Sequence, residues 1–361
     1  MGIKQKAFLL FFLICSAFVF GKPGFGQTEK INNQWKFILQ DVKNAEGVDF
    51  NDNNWQKIDL PHDWSVKQQL NSSLASCMGY LPGGIGWYRK SIQIPEEKKD
   101  EKVYLYFEGV YNRSDVYVNG HLLGNRPNGY ISFMYDATPY INYGEENVIA
   151  VRVDHSRDAD SRWYTGSGIY RDVWLVYSNP VHIAQWGVYA FPEEDTSKKG
   201  VLNVEVELVN DSKVAANLLI IYELMDKNGK VVAKKNVKQS VQPGESSVNT
   251  TLLKVSNPNL WSLKDPYLYV LKTTVLKNGK VVDKSATNTG FRQFTFDSAK
   301  GFALNGEWMK VKGVCIHHDA GVLGAAVPKE VLRRRLMNLK DIGCNAIRTS
   351  HNPQSPALYE L

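Results

Sequence analysis

The stretch Asn345–Pro353, NAIRTSHNP, places a short apolar run directly before an arginine, a histidine and two polar turn residues. An apolar run of this length is typical of a buried strand. A second such run lies upstream, in MKVKGVCIHH at residues 309–318, and it also ends in polar side chains. The two runs therefore predict two buried strands that both end in groups able to form hydrogen bonds.

The residues between these two runs predict a helix. In PKEVLRRRLMNLKDIG, residues 328–343, Pro328 stands near the start and Gly343 just past the end, which is the usual asymmetry of helix termini. The apolar residues that share one face of this helix are Val331, Leu332, Leu336, Leu339 and Ile342. A strand, helix and strand joined this tightly predict two parallel, neighbouring strands.

Parallel strands end at the same edge of a sheet, so the polar residues that follow them are expected to lie together. We expect His317 and His351 to face one shared concavity. The polar residues that follow the two predicted strands are His317, His318, Asp319, Arg348, Ser350, His351 and Asn352.

A metal site built from His317, His318, Asp319 and His351 is the alternative for this cluster. Neighbouring residues of an extended segment point to opposite sides, so His317 and His318 could hardly share one zinc ion. We therefore predict no metal site in this chain.

The part of the chain before this unit reads as two β-sandwiches. Residues 27–178 alternate apolar and polar positions in short runs such as KVYLYFEGV and GIYRDVWLVY, which predicts a jelly-roll sandwich. Its tryptophans could form a sugar platform, but most are expected in the core, where a buried tryptophan of a two-sheet protein usually lies. They are Trp35, Trp55, Trp64, Trp87, Trp163 and Trp174.

Residues 179–290 continue the alternation with about seven strand-like runs and no helical period. The sequence KNGKVV occurs at residues 227–232 and again at 277–282, and Asn-Gly favours the type I′ turn of a β-hairpin. This pattern predicts an immunoglobulin-like sandwich. Because it holds no cluster of ionisable residues, we expect it to act as a spacer or brace.

Residues 1–26 are typical of an export signal: Lys4 and Lys6 precede an apolar run from Ala7 to Phe20. The run is too short to span a bilayer, which takes about 20 apolar residues. We expect cleavage after Gly26, export to the periplasm or the cell exterior, and no stable membrane insertion afterwards. A lipid-anchored form attached through Cys15 is disfavoured, because the residues before it are not small.

The charge of the chain argues against a nucleic-acid partner. Removing residues 1–26 takes away three lysines and no acid, so the formal charge falls from +6 to +3. Phosphate binding needs a concentrated basic stripe, and the only visible run, residues 333–335, is interpreted as a solvated helix face. Cys77, Cys315 and Cys344 are too few for a disulfide scaffold.

At residues 345–353 a resemblance becomes specific. NAIRTSHNP resembles the signature of glycoside hydrolase family 2, which includes β-galactosidases, β-glucuronidases and β-mannosidases. In that family an Asn-x-apolar-Arg-small-small-His-Tyr-Pro run ends the second barrel strand. Further runs similar to the family, in its order, are GWYRKSI from Gly86, YFEGVYNRSDVYVNGHLLG from Tyr106, RWYTGSGIYRDVWL from Arg162, NLWSLKDPYLYVL from Asn259 and KGVCIHHD from Lys312.

The resemblance implies a multidomain, mainly β protein: a jelly-roll sugar-binding domain, an immunoglobulin-like domain and a TIM (β/α)8 barrel, here beginning at about residue 291. A barrel takes about 250 residues, but only about 60 follow Gly301. We therefore expect residues 291–361 to form only the first β/α units of an incomplete barrel, and the chain to be an amino-terminal fragment.

The resemblance also implies retaining hydrolysis by two glutamates about 5 Å apart. The acid/base glutamate follows an asparagine in the family, and no Asn-Glu pair occurs after residue 291; Glu307, Glu330 and Glu360 stand in a turn, a helix start and a tail. We therefore expect no catalytic residue in this chain, and no glycosidase activity from it alone.

The resemblance assigns the polar residues to substrate binding. His317 and His351 would reach sugar hydroxyls, with His318 as the alternative if the register differs by one residue. Arg348 would hydrogen-bond the catalytic carboxylates, and Asn352 stands where many members have tyrosine. From the jelly roll, the loop that carries Asp160, Arg162 and Trp163 would close the mouth of the pocket, and Arg171 and Asp172 are predicted to form an internal pair.

Several alternatives remain open at this point. The exported sandwiches could instead form a non-catalytic carbohydrate-binding protein, although such a module has no use for the start of a barrel. Within the family, a β-glucuronidase or a β-mannosidase competes with the β-galactosidase that CIHHDAGVLGAA, residues 315–326, favours. The chain itself is expected to need no cofactor. Magnesium or sodium could serve the full-length protein, and assembly into a homo-oligomer stays open.

Overall fold

The computed structural model describes residues 26–157, 159, 161–193 and 199–361, with only the backbone of Lys199. The predicted export signal lies outside these residues except for Gly26, and so does Asp160. The described chain is mainly β and forms three consecutive regions: two β-sandwiches and a short unit of strands and helices.

The first sandwich is the predicted jelly roll, built from two antiparallel sheets. Its sheets have the strand orders β1-β10-β5-β8 and β3-β2-β4-β9-β6-β7. The strands are β1 Gln27–Lys30, β2 Trp35–Ile38, β3 Gln56–Ile58, β4 Gly84–Gln93, β5 Lys102–Phe107, β6 Ser114–Val118, β7 His121–Arg126, β8 Phe133–Asp136, β9 Glu146–His155 and β10 Val173–Ser178.

Large aromatic side chains fill the core between these two sheets. Trp35, Trp64 and Tyr88 are fully buried, and Phe107 stacks on Phe133 with ring centroids 5.0 Å apart. Of the six tryptophans in this region, only Trp163 is half-buried, and the other five are buried. The tryptophans of the first sandwich are therefore core residues, with Trp163 as the exception.

The second sandwich is immunoglobulin-like and has the sheet orders β11-β12-β15 and β14-β13-β16-β17. Its strands are β11 Val181–Pro192, β12 Lys199–Asn210, β13 Ala216–Met225, β14 Val231–Val241, β15 Glu245–Ser256, β16 Tyr269–Lys277 and β17 Lys280–Thr289. Strand β13 shows the alternation most clearly, because every second side chain is buried: Ala216, Leu218, Ile220, Tyr222 and Leu224.

The two KNGKVV segments both join adjacent strands, but through different turns. In the second, Asn278 and Gly279 both have positive φ angles, 51° and 77°, as a type I′ turn requires. In the first, only Gly229 has a positive φ, 79°, because the Asp226 carboxylate accepts hydrogen bonds from two later backbone N–H groups of the turn at 2.9 and 3.0 Å. The same six-residue sequence thus forms two different turns, because the side chain of the preceding Asp226 binds the backbone of the first one.

The third region contains the predicted β, α, β unit. Strands β21 and β22 pair in parallel, with Gly313 opposite Ala346, and α1 connects them. No closed barrel forms among the described residues, which agrees with the expectation of a partial TIM barrel. Its elements are β18 Phe294–Asp297, β19 Gly301–Leu304, β20 Glu307–Met309, β21 Gly313–Ile316, α1 Lys329–Asp341, β22 Ala346–Thr349 and α2 Pro356–Glu360.

Helix α1 ends before Gly343, whose φ of 88° lies in the left-handed region that glycine adopts most easily. Its apolar face is only partly covered: Leu332 is buried, whereas Ile342 is 76% exposed just past the last turn. Neither α1 nor any other helix in the described part of the chain is long and apolar enough to cross a lipid bilayer.

Candidate substrate-binding site

The parallel pairing of β21 and β22 brings the two predicted histidines together. His317 is the residue directly after β21, and His351 follows β22 by two positions. Their ring centroids lie 6.2 Å apart at an interplanar angle of 75°. The two imidazoles therefore have the geometry expected of side chains that share one concavity.

Trp163 of the first sandwich contacts both imidazoles. Its ring centroid lies 5.4 Å from that of His317 and 5.2 Å from that of His351. Its indole Nε1–H donates to the Tyr130 hydroxyl at 3.2 Å, which fixes the orientation of the ring. We call Trp163, His317 and His351 the ring cluster; it joins the loop between β9 and β10 to the start of the barrel.

His318 points away from the ring cluster, as expected for neighbouring residues of an extended segment. It is 5% exposed, and its Nε2 lies 2.9 Å from the backbone carbonyl of Thr165. Burial lowers the pKa of His318 to about 4, so at neutral pH the imidazole is uncharged and its Nε2–H donates to that carbonyl. His318 therefore links the first sandwich to the loop after β21.

Arg348 lies on β22, next to the end of the strand. Its exposed guanidinium donates to the Ser350 hydroxyl at 3.1 Å, and the described residues give it no carboxylate partner. The hydrogen bond from Ser350 and the nearby Arg348 together lower the pKa of the Cys315 thiol on the neighbouring strand. The positive charge of Arg348 is therefore available to an anionic group at the strand ends.

Two buried polar atoms near the ring cluster lack partners among the described residues. They are Nδ1 of His317 and the amide Nδ2 of Asn352. Leaving such an atom unpaired costs about 1–3 kcal/mol, so this edge has hydrogen-bonding capacity that the protein itself does not use. Arg162, beside Trp163, is exposed and enters none of the described hydrogen bonds or ion pairs.

The prediction that the arginine run is a solvated helix face is wrong for Arg335. Its guanidinium donates to the backbone carbonyl of Asp319 at 2.6 Å, and it approaches that of His317 at 3.5 Å. Arg333 does lie on the exposed face, where it pairs with Glu330 at 3.2 Å. The periodicity of α1 could not reveal that the long side chain of Arg335 turns back to the preceding loop.

The predicted internal pair of Arg171 and Asp172 does not form. Arg171 donates to three backbone carbonyls, including that of Pro353 at 2.8 Å. Asp172 instead binds Lys30 and, at 2.8 Å, the amide of Asn32. Adjacent residues of an extended segment face opposite ways. Arg171 therefore contacts the third region, called the barrel segment below, while Asp172 contacts the first sandwich.

Asp63, which no sequence pattern singled out, also connects two regions. Its carboxylate is 3% exposed and accepts hydrogen bonds from both the first sandwich and the barrel segment. The motif PHDW, residues 61–64, was the only available signal. The hydrogen bonds that join the first sandwich to the barrel segment include Asp63 to Ala325, His318 to Thr165 and Arg171 to Pro353.

A separate cavity of about 560 Å³ lies between the first sandwich and helices α1 and α2. Glu108, Arg171 and Gln354 line it, and it does not include the ring cluster. Burial raises the pKa of the Glu108 carboxyl to about 7. Across the described residues there is no group of three or more His, Cys, Asp or Glu side chains that could hold a metal ion.

Comparison with known proteins finds one family along nearly the whole chain. Residues 25–180 match the sugar binding domain of "Glycosyl hydrolases family 2", residues 181–292 match a second segment described by that family name, and residues 297–361 match its TIM barrel domain.

Individual relatives agree with this family. A β-galactosidase of Bacteroides ovatus, BoGH2A, is 44% identical over 332 residues, which cover 91% of this chain and 39% of that protein. A putative β-glucuronidase of Formosa agariphila is 37% identical over 363 residues and covers 100% of this chain and 34% of its own length. The chain thus spans less than half the length of these curated relatives.

Solved structures show the same fold. A glycosyl hydrolase family 2 member from Bacteroides cellulosilyticus superposes with a TM-score of 0.87 at 37% identity. The match covers 92% of this chain and 44% of that one.

Proposed function

Because this chain belongs to glycoside hydrolase family 2, we propose that it is the amino-terminal part of an exported retaining glycosidase. The sugars it would release are terminal and β-linked, with β-galactosides as the first choice. The β-galactosidase of Bacteroides ovatus supports that choice. The single observation that carries the proposal is the ring cluster, where one indole and two imidazoles from two regions meet at the strand ends.

The ring cluster has the chemistry that a pyranose needs. An indole face packs against the C–H surface of a sugar, and imidazole nitrogens exchange hydrogen bonds with its hydroxyls. In retaining hydrolysis, hydrogen bonds to hydroxyls that strengthen in the transition state contribute several kcal/mol. His317 and His351 would make these hydrogen bonds, and Asn352 would add an amide donor.

Arg348 would act on the catalytic carboxylates. A guanidinium close to a carboxylate favours its ionised form, and Arg348 has no acidic partner among the described residues. The catalytic glutamates themselves would lie in the rest of the enzyme. The described glutamates of the third region are not assigned to this role. Glu307 is on β20, Glu330 is in the first turn of α1, and Glu360 forms an ion pair with Lys329 at 2.6 Å.

A β-glucuronidase is the second candidate, because the putative β-glucuronidase of Formosa agariphila is similar along the full chain. A glucuronide carries a carboxylate, for which the exposed guanidinium of Arg348 or Arg162 would be a suitable partner. A β-mannosidase and a non-catalytic sugar-binding protein are weaker alternatives. Direct binding of free sugars separates the three enzyme candidates, which differ in the sugar they take.

The test uses the purified protein of residues 27–361 and isothermal titration with D-galactose, D-glucuronate and D-mannose. We expect D-galactose to bind best and Trp163→Ala to raise its Kd about tenfold, which corresponds to about 1.4 kcal/mol of lost binding free energy. Trp186→Ala is the matched control, because Trp186 lies 61% exposed on the second sandwich. The proposal fails if no sugar binds or if both variants behave alike.

The same protein is expected to release no chromophore from aryl β-galactosides or β-glucuronides. Turnover that persists after a contaminating hydrolase has been excluded would contradict the placement of the catalytic glutamates outside this chain. Tight binding of D-glucuronate in place of D-galactose would make the β-glucuronidase the better candidate.

A further inference from the structure

We infer that Asp63 is a positioning residue for substrate binding: its buried carboxylate holds the loop of Trp163 and the loop that begins at His317 in their mutual arrangement. Asp63 lies in the loop after β3, away from the ring cluster in sequence, and the described hydrogen bonds of its carboxylate go to residues outside that cluster. It would act through the two loops and not by touching the sugar. The consequence for sugar binding rests on the proposed function.

The carboxylate of Asp63 binds three separate chain segments. Oδ1 accepts hydrogen bonds from the backbone N–H groups of Ser65 at 3.1 Å and Ser167 at 3.0 Å. Oδ2 accepts from the Tyr164 hydroxyl at 2.7 Å and from the backbone N–H of Ala325 at 2.9 Å. Among the described residues no lysine or arginine forms an ion pair with Asp63, so four neutral donors hold a carboxylate that is 3% exposed.

Two glycines let the backbone approach this carboxylate closely. A Cβ on Gly166 would lie 2.8 Å from Oδ2 of Asp63, and a Cβ on Gly324 would lie 2.2 Å from it. Both glycines have positive φ angles, 73° and 58°. Gly166 belongs to the first sandwich and Gly324 to the loop after β21, so both regions come into contact at the same carboxylate oxygen.

Each bound segment continues into the ring cluster. Tyr164 directly follows Trp163 in the chain, and Ala325 lies in the loop that starts at His317 and leads to α1. The next link, from His318 to the carbonyl of Thr165, lies between the same two segments. Movement of either segment relative to Asp63 would therefore change the distance between the indole and the imidazoles.

Asp63→Asn breaks the link between the regions selectively. An asparagine has one acceptor oxygen, so its NH₂ group must face two of the four donors. The Tyr164 hydroxyl is the only one of those donors that can also accept a hydrogen bond. The NH₂ is therefore expected to take the Oδ2 position. There the Tyr164 hydroxyl can accept a hydrogen bond from it, whereas the N–H of Ala325 loses its acceptor.

Gly324→Ala tests the same contact without changing the carboxylate, because the new methyl group would collide with Oδ2. Gly321→Ala is the control in the same loop, since Gly321 also has a positive φ, 56°, but no atom lies within 4 Å of its Cβ position. Asp59→Asn is the control for the carboxylate. Asp59 is exposed and accepts one backbone hydrogen bond, from Gln34 at 2.7 Å.

The readout is the pH dependence of Trp163 fluorescence, obtained by subtracting the signal of a Trp163→Phe version of each protein. A protonated imidazole in contact with an indole quenches its emission, so acid quenching of Trp163 reports its contact with the imidazoles of His317 and His351. We expect a clear acid quench in the unmodified protein. Most of its amplitude should be lost in Asp63→Asn and Gly324→Ala and kept in both controls.

The inference is overturned if the two test variants keep the full quench, if Gly321→Ala loses it equally, or if the unmodified protein shows none. A merely stabilising role for Asp63 would lower the melting temperature of Asp63→Asn and leave the quench unchanged. If that variant does not fold, the quench of Gly324→Ala alone decides the outcome.

Binding of D-galactose separates this inference from the proposed function. We expect Asp63→Asn to raise the Kd about tenfold, as the loss of one well-placed contact would. If the unmodified protein does not bind D-galactose, the proposed function fails, while the fluorescence result still decides the role of Asp63. If it binds and Asp63→Asn leaves both Kd and quench unchanged, the positioning role is wrong.

Discussion

The two sandwiches have the same two-sheet architecture, but they use their residues differently. The second has long, regular strands, and β12 pairs with β15 over twelve consecutive residue pairs. The first has several strands of three to six residues, joined by loops such as residues 59–83 and 161–172. Long strands satisfy their own backbone, whereas loops need other partners. The irregular sandwich is therefore the one able to supply residues to the candidate site.

The contacts to the candidate site show the same contrast. In the first sandwich the loops are fastened by a buried chain, in which the Ser167 hydroxyl bonds to the Ser65 hydroxyl at 2.6 Å and to Nδ1 of His155 at 2.7 Å. No residue of the second sandwich enters the described contacts of the ring cluster. One of its described links to the third region, from the Asn305 amide to the Trp261 carbonyl at 2.9 Å, lies elsewhere.

The largest expected effect comes from a core truncation in the second sandwich. Ile220 is fully buried on β13, and Ile220→Ala should lower the free energy of unfolding by about 4 kcal/mol, because it removes apolar burial and leaves a cavity. Urea unfolding measures the loss. The acid quench of Trp163 should stay unchanged if this sandwich is only a brace.

Val248→Ala is the control for that truncation, since Val248 is 56% exposed on β15 of the same sandwich. It should change stability by no more than about 0.5 kcal/mol. A lost quench in Ile220→Ala at a urea concentration where the protein is still folded would remove the contrast between the two sandwiches.

Acid is expected to lower folding stability by a somewhat smaller amount. It should act where the irregular first sandwich is bound by His318. Burial holds the pKa of His318 at about 4, against an ordinary value near 6.5. The contribution of uncharged His318 to folding stability is therefore complete above pH 6.5, where the imidazole is unprotonated in both the folded and the unfolded state. This contribution is lost as the pH falls toward 4. The loss reaches about 3 kcal/mol.

His318→Gln tests this contribution, because a glutamine amide can still donate to the Thr165 carbonyl but does not titrate. Urea unfolding at pH 4 to 7 should give a flatter stability curve for the variant than for the unmodified protein. Burial also lowers the pKa of His62 to about 4. Because His62 is present in both proteins, the difference between their two stability curves reports His318 alone. Parallel curves would show that His318 does not carry the acid sensitivity.

The smallest effect concerns the two hairpin turns of the regular sandwich. Asn278 has a φ of 51°, and Asn278→Ala should destabilise by about 1 kcal/mol, because a left-handed conformation is unfavourable for alanine. Asn228 does not have a positive φ, so Asn228→Ala should change stability by only a few tenths of a kcal/mol. Thermal melts of the two variants compare them directly, and equal losses would mean that turn geometry does not govern these hairpins.

Much of the fold followed from local patterns. The parallel pair of β21 and β22 was predicted from two apolar runs around an amphipathic helix, and the structure confirms it. The proximity of His317 and His351 in the candidate site was predictable, because they follow adjacent parallel strands. Asp63 and Arg335 were not, since each acts through contacts with segments that are distant in sequence or that turn back on the chain.

Local sequence patterns were enough to assign the two sandwiches and the β, α, β unit, because alternation, turn residues and helix termini are properties of neighbouring residues. They were also enough to predict that polar groups would gather at one edge of the parallel strands. The family resemblance had placed the loop of Trp163 at the mouth of the pocket, but the contact of its indole with both imidazoles, and the turn of His318 toward Thr165, emerged from tertiary packing. Such contacts depend on how separate regions pack, and no local pattern records the distance between residues more than a hundred positions apart.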